Sequence, residues 1–161
     1  MNRNMNIARA AILAAIYVAI CAVLQPISFG PVQFRFSELL CLLSIDHLWA
    51  LWGVTAGCFL ANLLIGGLGA VDVIFGTLAS FLACLAAYRF KDVCCHGYPL
   101  LSTFLIAAIN GVIIGTELGF ILETRSLIPA YILQVFIGEL IVLAIGLPIY
   151  MKVKDMDFLS R

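Results

Sequence analysis

The sequence predicts an all-α membrane protein with six transmembrane helices, and three observations carry that expectation. Apolar residues fill 64% of the 161 positions and charged residues only 11%, with a mean hydropathy of +1.14. A soluble domain is about half apolar and about a quarter charged, so no water-soluble fold of this size hides such a composition. The apolar residues also fall into six segments separated by breakers, and the basic residues fall mainly on alternate connections between them. At roughly 20 residues per crossing, the chain has room for six or seven spans in one integral membrane domain, residues 1–161, with almost nothing outside.

The first segment, Ile7 to Leu24, has its apolar run after Arg3 and Arg9 without a small-x-small cleavage signal, so it reads as a span and not as a signal peptide. Pro26, Gly30 and Pro31 then stop the helix. Val32, Phe34 and Phe36 alternate with Gln33, Arg35 and Ser37, a period of two that predicts an extended stretch with one polar side. The second segment, Ser37 to Ile45, is short and ends at Asp46-His47. Leu48 to Ile65 is the third, closed by Gly66-Gly67-Leu68-Gly69, and Val71 to Tyr88 is the fourth. Arg89 to Pro99 forms the longest polar connection before Leu100 to Leu122 and Ile128 to Tyr150. Small residues at intervals of four, Ala10 with Ala14, Ala11 with Ala15, and Gly111, Gly115 and Gly119, predict close helix contacts. No internal repeat or low-complexity segment is evident.

With six spans and a cytoplasmic N-terminus, Arg3, Arg9, Arg89, Lys91, Lys152, Lys154 and Arg161 lie inside, seven of the nine basic residues. Only Arg35 and Arg125 then lie outside, and both termini are cytoplasmic.

Several function classes drop out. Nine basic residues balance nine acidic ones, leaving no excess to hold a nucleic acid. The six cysteines form no CxxC pair, so neither a metal site nor a metal cofactor is expected. No GxxxxGK[ST] phosphate loop is present, so the chain does not bind ATP through that device. Asp46-His47 lacks a serine in a GxSx setting, and Gly67-Leu68-Gly69-Ala70-Val71-Asp72 misses the GxGD spacing of intramembrane aspartyl proteases, so no enzyme is expected.

What remains is a set of polar residues in the spans. An ionised side chain at the bilayer centre costs about 2.5–3.5 kcal/mol on insertion scales, so such a group needs a partner, a cavity or a ligand. Arg35, Glu38, Asn62, Asp72, Asn110, Glu117 and Glu139 all fall in the external half or at the midplane, which predicts a polar pocket open to the outside. Carboxylates outnumber Arg35, which favours a ligand carrying N–H donors or a cation, while Phe34, Phe36 and Tyr131 lie at a level suited to stacking on a flat ring. Plainer readings stand beside these. Arg35 and Glu38 pair only with each other, Asp72 caps a helix, Glu117 and Glu139 serve structure alone, or Asn62 and Asn110 bond between helices. A stand-alone secondary carrier is the alternative transport reading, and a membrane enzyme using Glu117 and Glu139 as acid and base is a third.

Gly30-Pro31-Val32-Gln33-Phe34-Arg35-Phe36-Ser37-Glu38-Leu39, Ala61-Asn62-Leu63-Leu64, Leu68-Gly69-Ala70-Val71-Asp72 through Ala79, Gly138-Glu139-Leu140 and Gly146-Leu147-Pro148 together resemble the QueT family over nearly the whole chain. The resemblance implies the fold of an S component, the substrate-capturing subunit of an energy-coupling factor (ECF) transporter in the bacterial cell membrane. Its implied ligand is a queuosine precursor, a 7-deazaguanine such as preQ1, preQ0 or queuine, with another vitamin as the alternative. It also implies partners, a transmembrane coupling protein and two ATPases that use ATP, and a docking stripe formed by Ala10, Ala11, Ala14 and Ala15. Gln33, Phe34, Arg35, Glu38, Asn62, Asp72, Asn110, Glu117, Tyr131 and Glu139 are the residues expected to hold the ligand.

Overall fold

The computed structural model describes residues 3–25, 35–66, 69–154 and 156. Five α-helices follow one another: α1 (Arg3–Val23), α2 (Leu48–Leu64), α3 (Ala70–Arg89), α4 (Leu100–Ile121) and α5 (Ile128–Val153). A 3-10 helix, η1 (Phe36–Ser44), lies between α1 and α2, and a single 3-10 turn, Arg125–Leu127, leads into α5. Four helical stretches are long and apolar enough to cross a membrane, and the 17-residue α2 is a shorter apolar helix. Among the described residues the only β structure is an isolated bridge between Cys95 and Tyr98. The protein is thus an all-helical membrane protein.

Side chains are sorted as a bilayer requires, with apolar groups outward. On α5, Leu133, Ile137, Ile141, Ile145 and Ile149 repeat every four residues and are all exposed, whereas Glu139 on the opposite face is buried. Consecutive helices pack on one another, and η1 is enclosed by α1, α2, α3 and α5. Leu40, Cys41, Leu42 and Ser44 of η1 are accordingly buried.

The second segment is where structure and expectation differ in kind. It is a 3-10 helix, and it already begins at Phe36, so the extended reading of Val32 to Ser37 ends at Arg35. The rest of that stretch lies outside the described residues. The physical reason is height. Arg35 meets Asp72 at one end of the bundle, and the Tyr150 hydroxyl donates to Asp46 at the other. A 3-10 rise of about 2.0 Å per residue lets this short segment cover what α3 covers with 1.5 Å per residue between Asp72 and Tyr88.

Small residues set the helix spacing. A Cβ at Gly53 would meet the Ala10 backbone, and one at Gly57 would meet Tyr17 and the Ala14 backbone, so Ala10 and Ala14 are taken up by contact with α2. Ala11 and Ala15, on the other half of the stripe, are exposed. Gly111, Gly115 and Gly119 bring α4 against Phe136, Ile132 and Ile128 of α5, the close approach their spacing predicts.

Arg3, Arg89, Lys152 and Lys154 sit at helix ends on the side where Asp46 and Tyr150 meet, while Arg35 and Arg125 lie at the other end. At Gly115 a Cβ would fall on the Ile132 backbone, which cannot yield as a side chain can. Gly115→Ala is therefore expected to lower the thermal midpoint of the detergent-purified protein by an amount corresponding to about 1–3 kcal/mol, and an unchanged midpoint would contradict backbone contact there.

Candidate functional site

Register between neighbouring helices decides which polar residues meet. The Ser102 hydroxyl donates to the Ala87 carbonyl at 3.1 Å and pins α4 against α3. Asp72 lies fifteen residues before Ala87, and Glu117 fifteen after Ser102. In antiparallel helices both therefore stand about 22 Å above that bond, at one level. Asp72 and Arg35 lie within electrostatic range of Glu117. Counting up from the Asp46–Tyr150 contact, eight residues of η1 reach Glu38 and eleven of α5 reach Glu139, about 16 Å in each case. Glu38 and Arg35 are correspondingly within electrostatic range of Glu139.

The upper tier centres on an ion pair, Arg35 Nη2 to Asp72 Oδ1 at 3.2 Å, with both side chains buried. Asn62 Nδ2 donates to the Asp72 carbonyl at 3.1 Å and approaches Cys58 Sγ at 3.5 Å. Gly76 makes this possible, because a Cβ there would collide with the Asn62 amide. The capping role considered for Asp72 is not what the structure shows: Gly69 is the N-cap of α3, no side chain caps it, and Asp72 points at Arg35.

The lower tier centres on Glu38. Its Oε1 accepts from the Tyr17 hydroxyl at 2.5 Å and from the Ser80 hydroxyl at 2.8 Å. Its Oε2 accepts from the Cys41 thiol at 2.8 Å. One carboxylate thereby ties α1, η1 and α3 together. Tyr17, Ser80 and Cys41 were not among the sequence candidates, because a neutral donor in an apolar helix carries no charge signal. Cys21 Sγ lies 3.1 Å from the Ser37 hydroxyl beside this hub.

Other polar atoms of the expected site residues have no hydrogen-bond partner among the described groups. These are Asp72 Oδ2, both carboxylate oxygens of Glu117, Glu139 Oε1 and Asn110 Nδ2. Their residues are only 1–5% exposed. A buried polar atom left unpaired costs about 1–3 kcal/mol, more when charged, so five such atoms on facing helices among the described residues mark the region where a further partner would be most stabilising. Glu117 also lines a hollow of about 370 Å³ walled by Val71, Phe75 and Leu78 of α3 and Val112, Ile113 and Phe120 of α4. A larger hollow, about 870 Å³, lies at the opposite end and includes none of these residues.

Of the expected site residues, the structure gathers Arg35, Glu38, Asn62, Asp72, Glu117 and Glu139. Asn110 is buried on α4 two turns below Glu117. Tyr131 is half-buried, packs with Ile114, Leu118 and Val135 in the α4–α5 contact, and has its hydroxyl 3.1 Å from that of Thr124. Gln33 and Phe34 lie outside the described residues. No group of three or more metal-ligating side chains occurs among the described residues.

A family model described as QueT transporter matches residues 7–155. The chain belongs to the QueT transporter family. Its similarity extends to a curated relative, the queuosine precursor transporter QueT of Lactococcus lactis subsp. cremoris (strain MG1363), at 34% identity over 170 aligned positions covering 99% of this chain and 98% of that protein. No solved structure matches the chain. Membership fits a bundle that buries polar groups within apolar spans.

Glu38 is engaged three times over, so its contribution differs from that of Glu117. Tyr17→Phe removes one charge-assisted donor and is expected to reduce stability by about 1–3 kcal/mol, read as the unfolding midpoint in detergent. No change in that midpoint would show that the Tyr17–Glu38 bond does not hold the bundle.

Proposed function

We propose that this chain is the substrate-binding S component of an ECF importer and that it captures a queuosine precursor of the 7-deazaguanine class. The observation that carries the reading is the set of buried carboxylate oxygens on Asp72, Glu117 and Glu139 without hydrogen-bond partners among the described residues. A 7-deazaguanine presents N–H donors along its base-pairing edge, one carbonyl acceptor and a stackable face, and its aminomethyl form adds a cation. Carboxylates receive the donors and the cation, and an asparagine amide or the Arg35 guanidinium donates to the carbonyl. An anionic ligand is disfavoured, since the cluster holds four carboxylates against one guanidinium. The similarity to a relative named for queuosine precursor transport supports the same substrate class.

In this reading the chain binds its ligand without altering it. Energy comes from two ATPases coupled through a transmembrane partner, in keeping with a sequence that lacks the GxxxxGK[ST] loop. Ala11 and Ala15, which remain exposed on α1, offer that partner a smooth face. Movement of the whole subunit against its partner would carry the ligand across, so no continuous pore is needed. Uptake driven by an ion gradient with this chain alone in sealed vesicles would instead support a secondary carrier.

The binding test is calorimetry or thermal shift on detergent-purified protein with preQ1, preQ0 and queuine, using thiamine, riboflavin and biotin as controls. A deazaguanine should bind, and Glu117→Gln and Glu139→Gln should each weaken it about ten- to a hundredfold, the effect of losing one charged acceptor. Full affinity in both variants would refute the assignment.

The basic residues collected at the Asp46 end support a cytoplasmic position for that end and for both termini. Cys94 and Cys95 are the exposed cysteines among the described residues, and both lie on the connection at that end. A membrane-impermeant maleimide should therefore label them only after the cells are permeabilised, and labelling of intact cells would reverse the orientation.

A further inference from the structure

The Asp46 end carries a second hollow with a different lining. Between α1 and α2 lies a hollow of about 870 Å³, lined by Arg3, Asn6 and Arg9 at one side and by Trp49, Trp52 and Ala56 at the other. That volume is in the range of small-molecule sites. Arg9 is 5% exposed, with its guanidinium 6.0 Å from the Trp49 ring centre. Trp49 stacks in turn on His47, with ring centres 5.5 Å apart.

The decisive atom is Trp49 Nε1. The residue is 9% exposed, it lines the hollow, and its indole N–H has no hydrogen-bond partner among the described groups. An indole N–H is only a donor, so what completes it is an acceptor. With Arg3 and Arg9 in the same lining, an anionic acceptor is favoured over a neutral one. Asp46 also lines the hollow and accepts from the Tyr150 hydroxyl, and counting it against Arg3 and Arg9 leaves one net positive charge. Asn6 Oδ1 is buried without a partner as well, and it suits a hydroxyl donor on the same ligand. Beyond these polar groups the lining turns apolar at Ala11, Trp52 and Ala56, and Trp52 is 59% exposed on the flank of the bundle.

We propose that this hollow is a binding site for an anionic phospholipid. Its phosphate sits against Arg9, Arg3 and the Trp49 N–H, a headgroup hydroxyl donates to Asn6, and an acyl chain runs along Ala11, Trp52 and Ala56 while that face of α1 is not docked on the coupling partner. The order of these groups, charged at the bundle end and apolar toward its middle, matches the order within a phospholipid leaflet.

The chain has two tryptophans, and both line this hollow, so intrinsic fluorescence reports on it. In a Trp52→Phe variant, Trp49 is the single emitter. Reconstituted into phosphatidylcholine vesicles, it should be quenched by phosphatidylglycerol with brominated acyl chains about fivefold more effectively, per mole fraction, than by brominated phosphatidylcholine. Adding Arg9→Gln should bring the two lipids to parity. Native mass spectrometry of the unsubstituted protein provides a second readout, in which phosphatidylglycerol stays bound and Trp49→Phe weakens its retention. Equal quenching by both lipids, or preference intact in the Arg9→Gln variant, would overturn the proposal. Displacement of the brominated lipid by millimolar inorganic phosphate would also overturn it, by assigning the hollow to free anions.

Discussion

Hydrocarbon does not solvate charge, and that constraint organises the whole molecule. Every ionised group carried into the bundle has to find its complement there. Glu38 does so through Tyr17, Ser80 and Cys41, and in the process it locks α1, η1 and α3 at one height. Arg35 and Asp72 do so through their ion pair, which fixes the start of η1 against the start of α3. The apolar faces of the helices contribute little orientation in lipid, because tails and side chains are equally apolar. Backbone contact at glycines and buried polar bonds therefore specify which helix meets which.

Within that frame the two ends of the bundle are unlike. One gathers carboxylates, several of whose oxygens have no donor among the described residues; the other gathers cations around a tryptophan N–H with no acceptor among them. On that contrast rest the two proposals, a ligand rich in N–H groups at the first end and an anion at the second. The separation is a consequence of chain topology. Odd and even connections fall on opposite ends, and the sequence has placed acids near one set and bases near the other.

The division into apolar segments was readable in the residues because the breakers are unambiguous: Pro26 to Pro31, Asp46-His47 and Gly66 to Gly69 each interrupt the hydropathy. The helical type of the second segment was not. Nine residues around Leu40 to Leu43 carry no period or cap that separates α from 3-10 geometry, and the choice is made by the height that η1 has to cover beside α3. The charged members of the site stood out because charge in a span is conspicuous. Their division of labour did not, since Glu38 is satisfied by Tyr17, Ser80 and Cys41, residues that look like ordinary core until the helices are assembled. The alanine stripe split for a similar reason. Gly53 and Gly57, some forty residues along the chain, decide that Ala10 and Ala14 face inward while Ala11 and Ala15 do not.

The central proposal is that the buried carboxylates at the Asp72 end receive the donors of a flat, nitrogen-rich ligand. Infrared difference spectroscopy of the purified protein on addition of a 7-deazaguanine observes those groups directly. The account requires carboxylate bands to shift on binding and the shifts assigned to Glu117 and Glu139 to vanish in the corresponding glutamine variants. A spectrum in which the ligand binds while the carboxylate region stays flat would contradict it.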